Sequence, residues 1–172
     1  PFATFLNIEN FTIIGTSPER YMLKQGNNII SQPIKGTSKR VSDKNEDNEL
    51  KQKLSKSAKD ISENIMIVDL VRNDLSVTAK EGSVKVDKLC GVYTFSHVHQ
   101  MISTISSILK ENKNFVDVIA TTFPMGSMTG APKIKAMELI EKYEETKRGV
   151  YSGSVGYITP EGDFDFNVII RS

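Results

Sequence analysis

Lys35 sits behind Pro33-Ile34 and ahead of Gly36-Thr37. A lysine acts as a nucleophile or base only in its neutral form, which burial or a nearby cation favours. Pro33 and Ile34 offer an apolar wall, Gly36 permits close approach of a substrate to the backbone, and Lys39 and Arg40 add positive potential. The plain alternative is an edge-strand lysine that blocks unwanted pairing, and spacing alone favours it. Glu19, in Ser17-Pro18-Glu19-Arg20, is a second group of interest. Burial at a strand end makes such a carboxyl a general acid; pairing with a neighbouring cation makes it an ordinary turn residue.

Three further features bear on binding. Glu63 has the oxygen chemistry of a Mg²⁺ ligand, but a hard cation needs two or more carboxylates from different elements. It also stands four residues after Lys59, the spacing of a solvated helix pair. His97 and His99 share a face if their segment is a strand. Two ligands are too few for a specific metal site, so one functional histidine is the simpler reading. The stretch GSMTGAPK, Gly126 to Lys133, looks like a phosphate loop but fails its spacing: three residues separate the glycines, and Ala131-Pro132 precede the lysine. What survives is a glycine loop feeding a helix N-terminus, suited either to an anion such as a carboxylate or to close packing.

These residues need a frame. The chain has 172 residues, 38% hydrophobic and 25% charged, with a net charge of +1. That fits one globular domain and gives no electrostatic footprint for nucleic acid. No apolar run is long enough for a membrane span, no signal peptide is visible, and the single cysteine, Cys90, rules out an internal disulfide and reads as a small buried side chain. The expectation is a cytoplasmic protein. Opening at Pro1 and ending in the strand-like FNVIIRS, residues 1–172 read as part of a single domain, truncated at both ends.

Alternation around Asn7 to Asn10 predicts an opening hairpin, and NNIISQPIKGT a strand with Pro33 near an edge. KRVSDKNEDNE reads as a charged surface loop, the segment expected to be least ordered. Leu50, Leu54, Ala58, Ile61, Ile65 and Val68 recur at the helical period, and RNDLS is expected to close that helix. GSVKVDKLCGVYTF and HVHQMISTISSIL read as strands, and NFVDVIATTF as a short helix with Val116, Ile119, Ala120 and Phe123 on one face. A helix follows with Pro132 at its first position and Ile134, Met137 and Ile140 inward. VYSGSVGYIT and FDFNVIIRS form a hairpin around PEGD. Hairpins interleaved with helices indicate an α+β fold with antiparallel sheets.

The series SPER, PIKGT, SAKDISENIMIVDLVRNDL, GSVKV, HVHQMISTI, FPMGSMTGAPKIKAMELIE, RGVYSGSVGYIT and IIRS closely resembles the chorismate-utilising enzymes, in order and spacing, across nearly the whole chain. The resemblance implies a four-layer α/β/β/α sandwich, here incomplete, and a chorismate-binding catalytic domain. Lysine in PIKGT is typical of the family branch that makes 4-amino-4-deoxychorismate, where anthranilate synthases carry alanine. It implies Lys35 as nucleophile at C2 of chorismate, Glu19 as the acid protonating the C4 hydroxyl, and His99 near the reacting ring. It further implies Ser127, Tyr151 and Arg171 as substrate contacts, Glu63 as one of two Mg²⁺ ligands, and a glutamine amidotransferase subunit supplying ammonia. Departures are Met125 in the glycine loop, Ser76 after RNDL, and a loose match around the histidine. Arg148-Gly149 before Tyr151 keeps anthranilate synthase open as the alternative, beside a domain that only binds a partner.

Overall fold

The computed structural model describes residues 2–172. A hairpin of β1 (Phe2–Ile8) and β2 (Phe11–Ser17) forms a two-stranded sheet of its own. Then come β3 (Arg20–Gln25), β4 (Asn28–Gln32), β5 (Ile34–Lys39), α1 (Lys44–Ser55), α2 (Ala58–Thr78), β6 (Lys85–Thr94) and β7 (Val98–Ile108). The chain closes with α3 (Phe115–Thr122), the single turn α4 (Gly126–Thr129), α5 (Lys133–Tyr143), β8 (Ser154–Ile158) and β9 (Phe164–Val168). Every strand pair is antiparallel, as the hairpin reading requires, and the class is α+β.

The main sheet has seven strands, with β7 as its spine. β6 lies along one edge of β7; β4 and β5 run end to end along the other. Pro33 marks the join, because it has no N–H for the ladder, and its carbonyl accepts from Ser103 N–H at 3.2 Å. β3, β9 and β8 extend the sheet beyond β4, so β9 is paired on both sides, and its strand stops at Val168, short of Arg171. Along β7, His99, Met101, Ser103, Ile105 and Ser107 are buried, while Ile102, Thr104 and Ser106 are only partly so. The helix α2 covers that buried face with Ile67, Val68, Val71 and Leu75. Each such side chain contributes about 1.5–3 kcal/mol through burial.

The structure corrects three local expectations. KRVSDKNEDNE is not a loop. Asp43 caps α1 by accepting from the N–H groups of Asn45 and Glu46 at 3.0 and 2.9 Å, and acidic Glu46 and Asp47 suit the first turn. Asp47 is buried and accepts from Arg40 at 3.0 Å, from Val41 N–H at 3.1 Å and from His99 Nε2 at 3.1 Å. Second, the single helix expected from Leu50 breaks at Lys56-Ser57, where Ser57 caps α2, and α2 runs on through RNDLS to Thr78. Third, Pro132 is the N-cap of α5 and no α5 residue is buried; Ile134 is 76% exposed. The period located that stripe, but nothing among the described residues covers it.

The Arg40 guanidinium holds the Asp47 carboxyl down to about 2, with Val41 N–H and His99 assisting. A depressed carboxyl stabilises the fold above its unfolded value of about 3.9 and loses that contribution as pH falls through about 2. Asp47→Asn is therefore expected to be less stable than the parent at pH 7, by urea denaturation, with the difference shrinking as pH falls from 4 to 2. A difference unchanged at pH 2 would contradict this assignment.

Candidate active site

Lys35 occupies a β-bulge. Between the pairs Ile34↔Ile102 and Thr37↔Gln100, β5 advances three residues while β7 advances two. The irregularity frees Lys35 from the ladder and re-aims its side chain. Gly36 makes the bulge possible: its φ is +93°, and a Cβ there would stand 2.9 Å from the Cβ of Asp60 on α2. The close approach that Gly36 permits is thus made by Asp60, in place of the substrate expected from the sequence. The Lys35 side chain is half-buried, and its Nζ donates to the Ser127 carbonyl at 3.2 Å.

Glu19 lies between β2 and β3 and is 6% exposed. Its N–H donates to Ser17 Oγ at 3.2 Å, and its carbonyl accepts from Val168 N–H at 3.1 Å, so sequence-distant β9 fixes it. Burial pushes its carboxyl above the ordinary value; the Ser127 side chain, the Lys35 charge and the Ile34 backbone pull it partly back. Ser127 therefore touches both groups, through its side chain to Glu19 and its carbonyl to Lys35. It sits on α4, which lies tight against α2: a Cβ on Gly126 would stand 2.6 Å from Cδ2 of Leu70. A cavity of ≈ 20 Å³ is lined by Glu19, Tyr21, Asp74, Thr122 and Ser127 among others, enough for one water. A carboxyl of raised proton affinity beside an amine can protonate a leaving group while the amine attacks the same molecule.

None of the other residues singled out in the sequence makes a side-chain hydrogen bond to this trio. His99 is 1% exposed under α1, with Nδ1 3.0 Å from Thr94 Oγ1 and Nε2 3.1 Å from Asp47 Oδ1. A carboxylate only accepts, so Nε2 carries the hydrogen, and both ring nitrogens are occupied by protein groups. His97 is exposed. Tyr151 is exposed in the turn before β8, and Arg171 is exposed with φ 58°. Glu63 is on α2, its side chain 46% exposed and 3.9 Å from Lys59. It lies about one turn beyond Asp60, at the end of α2 nearest Gly36. Among the described residues no group of three or more His, Cys, Asp or Glu could hold a metal ion, so Glu63 fits as one ligand of a shared site and no more.

Sequence reasoning missed a neighbouring polar set. Tyr21 OH and Thr122 Oγ1 are 2.5 Å apart, and Lys133 Nζ donates to Asp74 and, at 2.9 Å, to the Thr122 carbonyl. Burial, with the Asp74 charge, pushes the Tyr21 hydroxyl up to about 12. The failed phosphate-loop spacing was the one available signal: a lysine in that place needed some other partner.

The family profile for the chorismate binding enzymes matches residues 1–172. The chain belongs to that family. It is 45% identical over 172 residues to aminodeoxychorismate synthase component 1 of Escherichia coli K12, covering 100% of this chain and 38% of that one. It is also 39% identical over 172 residues to anthranilate synthase component 1 of Aquifex aeolicus, covering 100% of this chain and 35% of that one. The crystal structure of anthranilate synthase component I from Streptococcus pneumoniae TIGR4 superposes with a TM-score of 0.88 at 34% identity, over 99% of this chain and 37% of that one. The chain thus spans a little over a third of the length of these relatives.

Gly126→Ala is expected to cost roughly 1–3 kcal/mol by overpacking against Leu70, with Leu70→Ala in the same chain relieving part of the loss. Urea denaturation of the parent and both variants measures this. A Gly126→Ala chain as stable as its parent would contradict the close α2–α4 contact.

Proposed function

We propose that this chain carries the acid and the amine of an aminodeoxychorismate synthase component I, which converts chorismate and ammonia to 4-amino-4-deoxychorismate, a precursor of p-aminobenzoate and folate. The observation that supports this reading best is the Glu19–Ser127–Lys35 group, a buried carboxyl and a half-buried amine joined through one residue. Lys35 gives one proton to water, and its neutral amine then forms a bond to C2 of the ring as the double bond shifts and the C4–O bond breaks. Glu19 gives its proton to the departing hydroxyl, which leaves as water. Ammonia then forms the C4–N bond and the C2–N bond to Lys35 breaks, and the proton shed by the incoming nitrogen returns to Glu19. Raised proton affinity suits Glu19 to this task, since hydroxide itself is a poor leaving group.

Ser127 aligns the two groups, and Tyr151 and Arg171 are carried by the family resemblance as contacts to substrate, Arg171 offering a fork to a carboxylate. His99 is carried by the same resemblance as a residue near the reacting ring; it lies on β7 under α1, its orientation set by Asp47 and Thr94. Bound Mg²⁺ would neutralise the ring carboxylate, with Glu63 as one protein ligand. The partner is a glutamine amidotransferase supplying ammonia; similar proteins are called component 1, which fits a two-component enzyme. The proposed setting is the cytoplasm, and among the described residues no helix is long and apolar enough to cross a membrane. Anthranilate formation is the second reading, favoured by the similar anthranilate synthases at 39% and 41% identity.

Product identification tests the proposal. The full-length protein with chorismate, Mg²⁺ and ammonia is expected to give aminodeoxychorismate by chromatography and mass; fluorescent anthranilate would decide for the second reading. Lys35→Ala is expected to abolish turnover, and Glu19→Gln to lower it by about 10²–10⁴-fold. The acid must be protonated, so kcat should fall as pH rises through the Glu19 value, above the ordinary 4.5. A falling limb that persists in Glu19→Gln would assign it to another group.

A further inference from the structure

Lys133 is the lysine of the GSMTGAPK stretch and the first residue of α5. Its side chain turns away from solvent: it is 14% exposed and pairs with Asp74 of α2, itself 11% exposed. The same ammonium donates to the carbonyl of Thr122, the last residue of α3, at 2.9 Å. Thr122 and Lys133 are the two ends of the loop that carries α4 and Ser127. One side chain therefore closes the loop on itself and anchors it to α2.

This anchor has little competition on the α5 side. No α5 residue is buried, so apolar packing of that helix does not hold the loop. Gly126 rests on Leu70, and Arg148 donates to the Met128 carbonyl at 2.9 Å, which secures the far side of α4. Lys133 and Asp74 secure the near side, and Asp74 lines the same cavity as Glu19 and Ser127. We propose that Lys133 and Asp74 are positioning residues: their pair staples the 123–132 loop to α2 and so holds Ser127 between Glu19 and Lys35. The inference rests on the reading of those three residues as the active site. A lysine that resembles a phosphate ligand in the sequence thus acts within the protein, as a buried cation that closes a loop.

The test uses the full-length protein with Lys133→Met, Lys133→Arg, and the double variant Lys133→Met, Asp74→Asn. The double variant leaves no buried unpaired carboxylate, so it carries the test should Lys133→Met alone fail to fold. The first readout is amide exchange at Met128 and Gly130, whose N–H groups bond to the carbonyls of Met125 and Gly126. We expect exchange there to quicken at least tenfold in the double variant, with the amides of β7 unchanged. The second readout is turnover of chorismate. We expect kcat to fall at least tenfold with KM within threefold, and Lys133→Arg to recover most of it. The pH limb assigned to Glu19 should also move upward, because loss of the Ser127 bond removes one influence lowering its proton affinity.

Unchanged exchange at Met128 and Gly130 would overturn the staple. Faster exchange with unchanged kcat would overturn the positioning role. If the parent protein does not act on chorismate, the functional reading fails, and the exchange result still decides whether the pair holds the loop.

Discussion

A carboxyl group kept almost wholly out of water within reach of an ammonium's charge is the constraint on which this structure turns. Glu19 has no solvent to stabilise its anion, so burial favours the protonated form; Lys35 and the Ser127 side chain favour the charged one. The balance depends on position. Moving Ser127 alters a bond to Glu19 and a bond to Lys35 together. Proton affinity in the site is therefore governed by where a short glycine-rich turn sits, not by the two titrating residues alone.

The fold meets that demand with devices that look like local irregularities. The bulge in β5 frees Lys35, and Gly36 takes a backbone conformation few residues adopt so that Asp60 and α2 can close in. Gly126 brings α4 onto Leu70 at a distance no side chain allows. Glu19 is fixed from the other end of the chain through β9. The two glycine contacts converge on α2, whose inner face also makes the core against β7. Core packing and site geometry share one helix, so a mutation inside α2 should disturb both. α5 and the first hairpin present Ile134, Tyr143, Phe5 and Ile14 to solvent.

Much of this was legible in the residues. Hairpin turns, the β-branched run of β7 and the short α3 follow from alternation, composition and caps, and the class α+β came with them. Lys35, Glu19 and Ser127 were marked by motif, and the structure brings these three together. What stayed hidden depends on partners distant in sequence. KRVSDKNEDNE looks like a loop because charge opposes burial, yet Arg40 and His99 give Asp47 the partners that make burial tolerable. The inward stripe of α5 was misplaced because periodicity shows that a face is apolar without showing what meets it. Asp74 and Lys133 were unreadable for the same reason: they are 59 residues apart, and neither implies the other.

The central claim is that Lys35 bonds covalently to the ring, and mass spectrometry tests it directly. Full-length protein is mixed with chorismate and Mg²⁺ without ammonia, quenched, digested and searched for a peptide carrying chorismate less one water. The account predicts that mass on the peptide containing Lys35, and its loss when ammonia is added before the quench. Turnover to the amino product with Lys35 unmodified under every condition would contradict it.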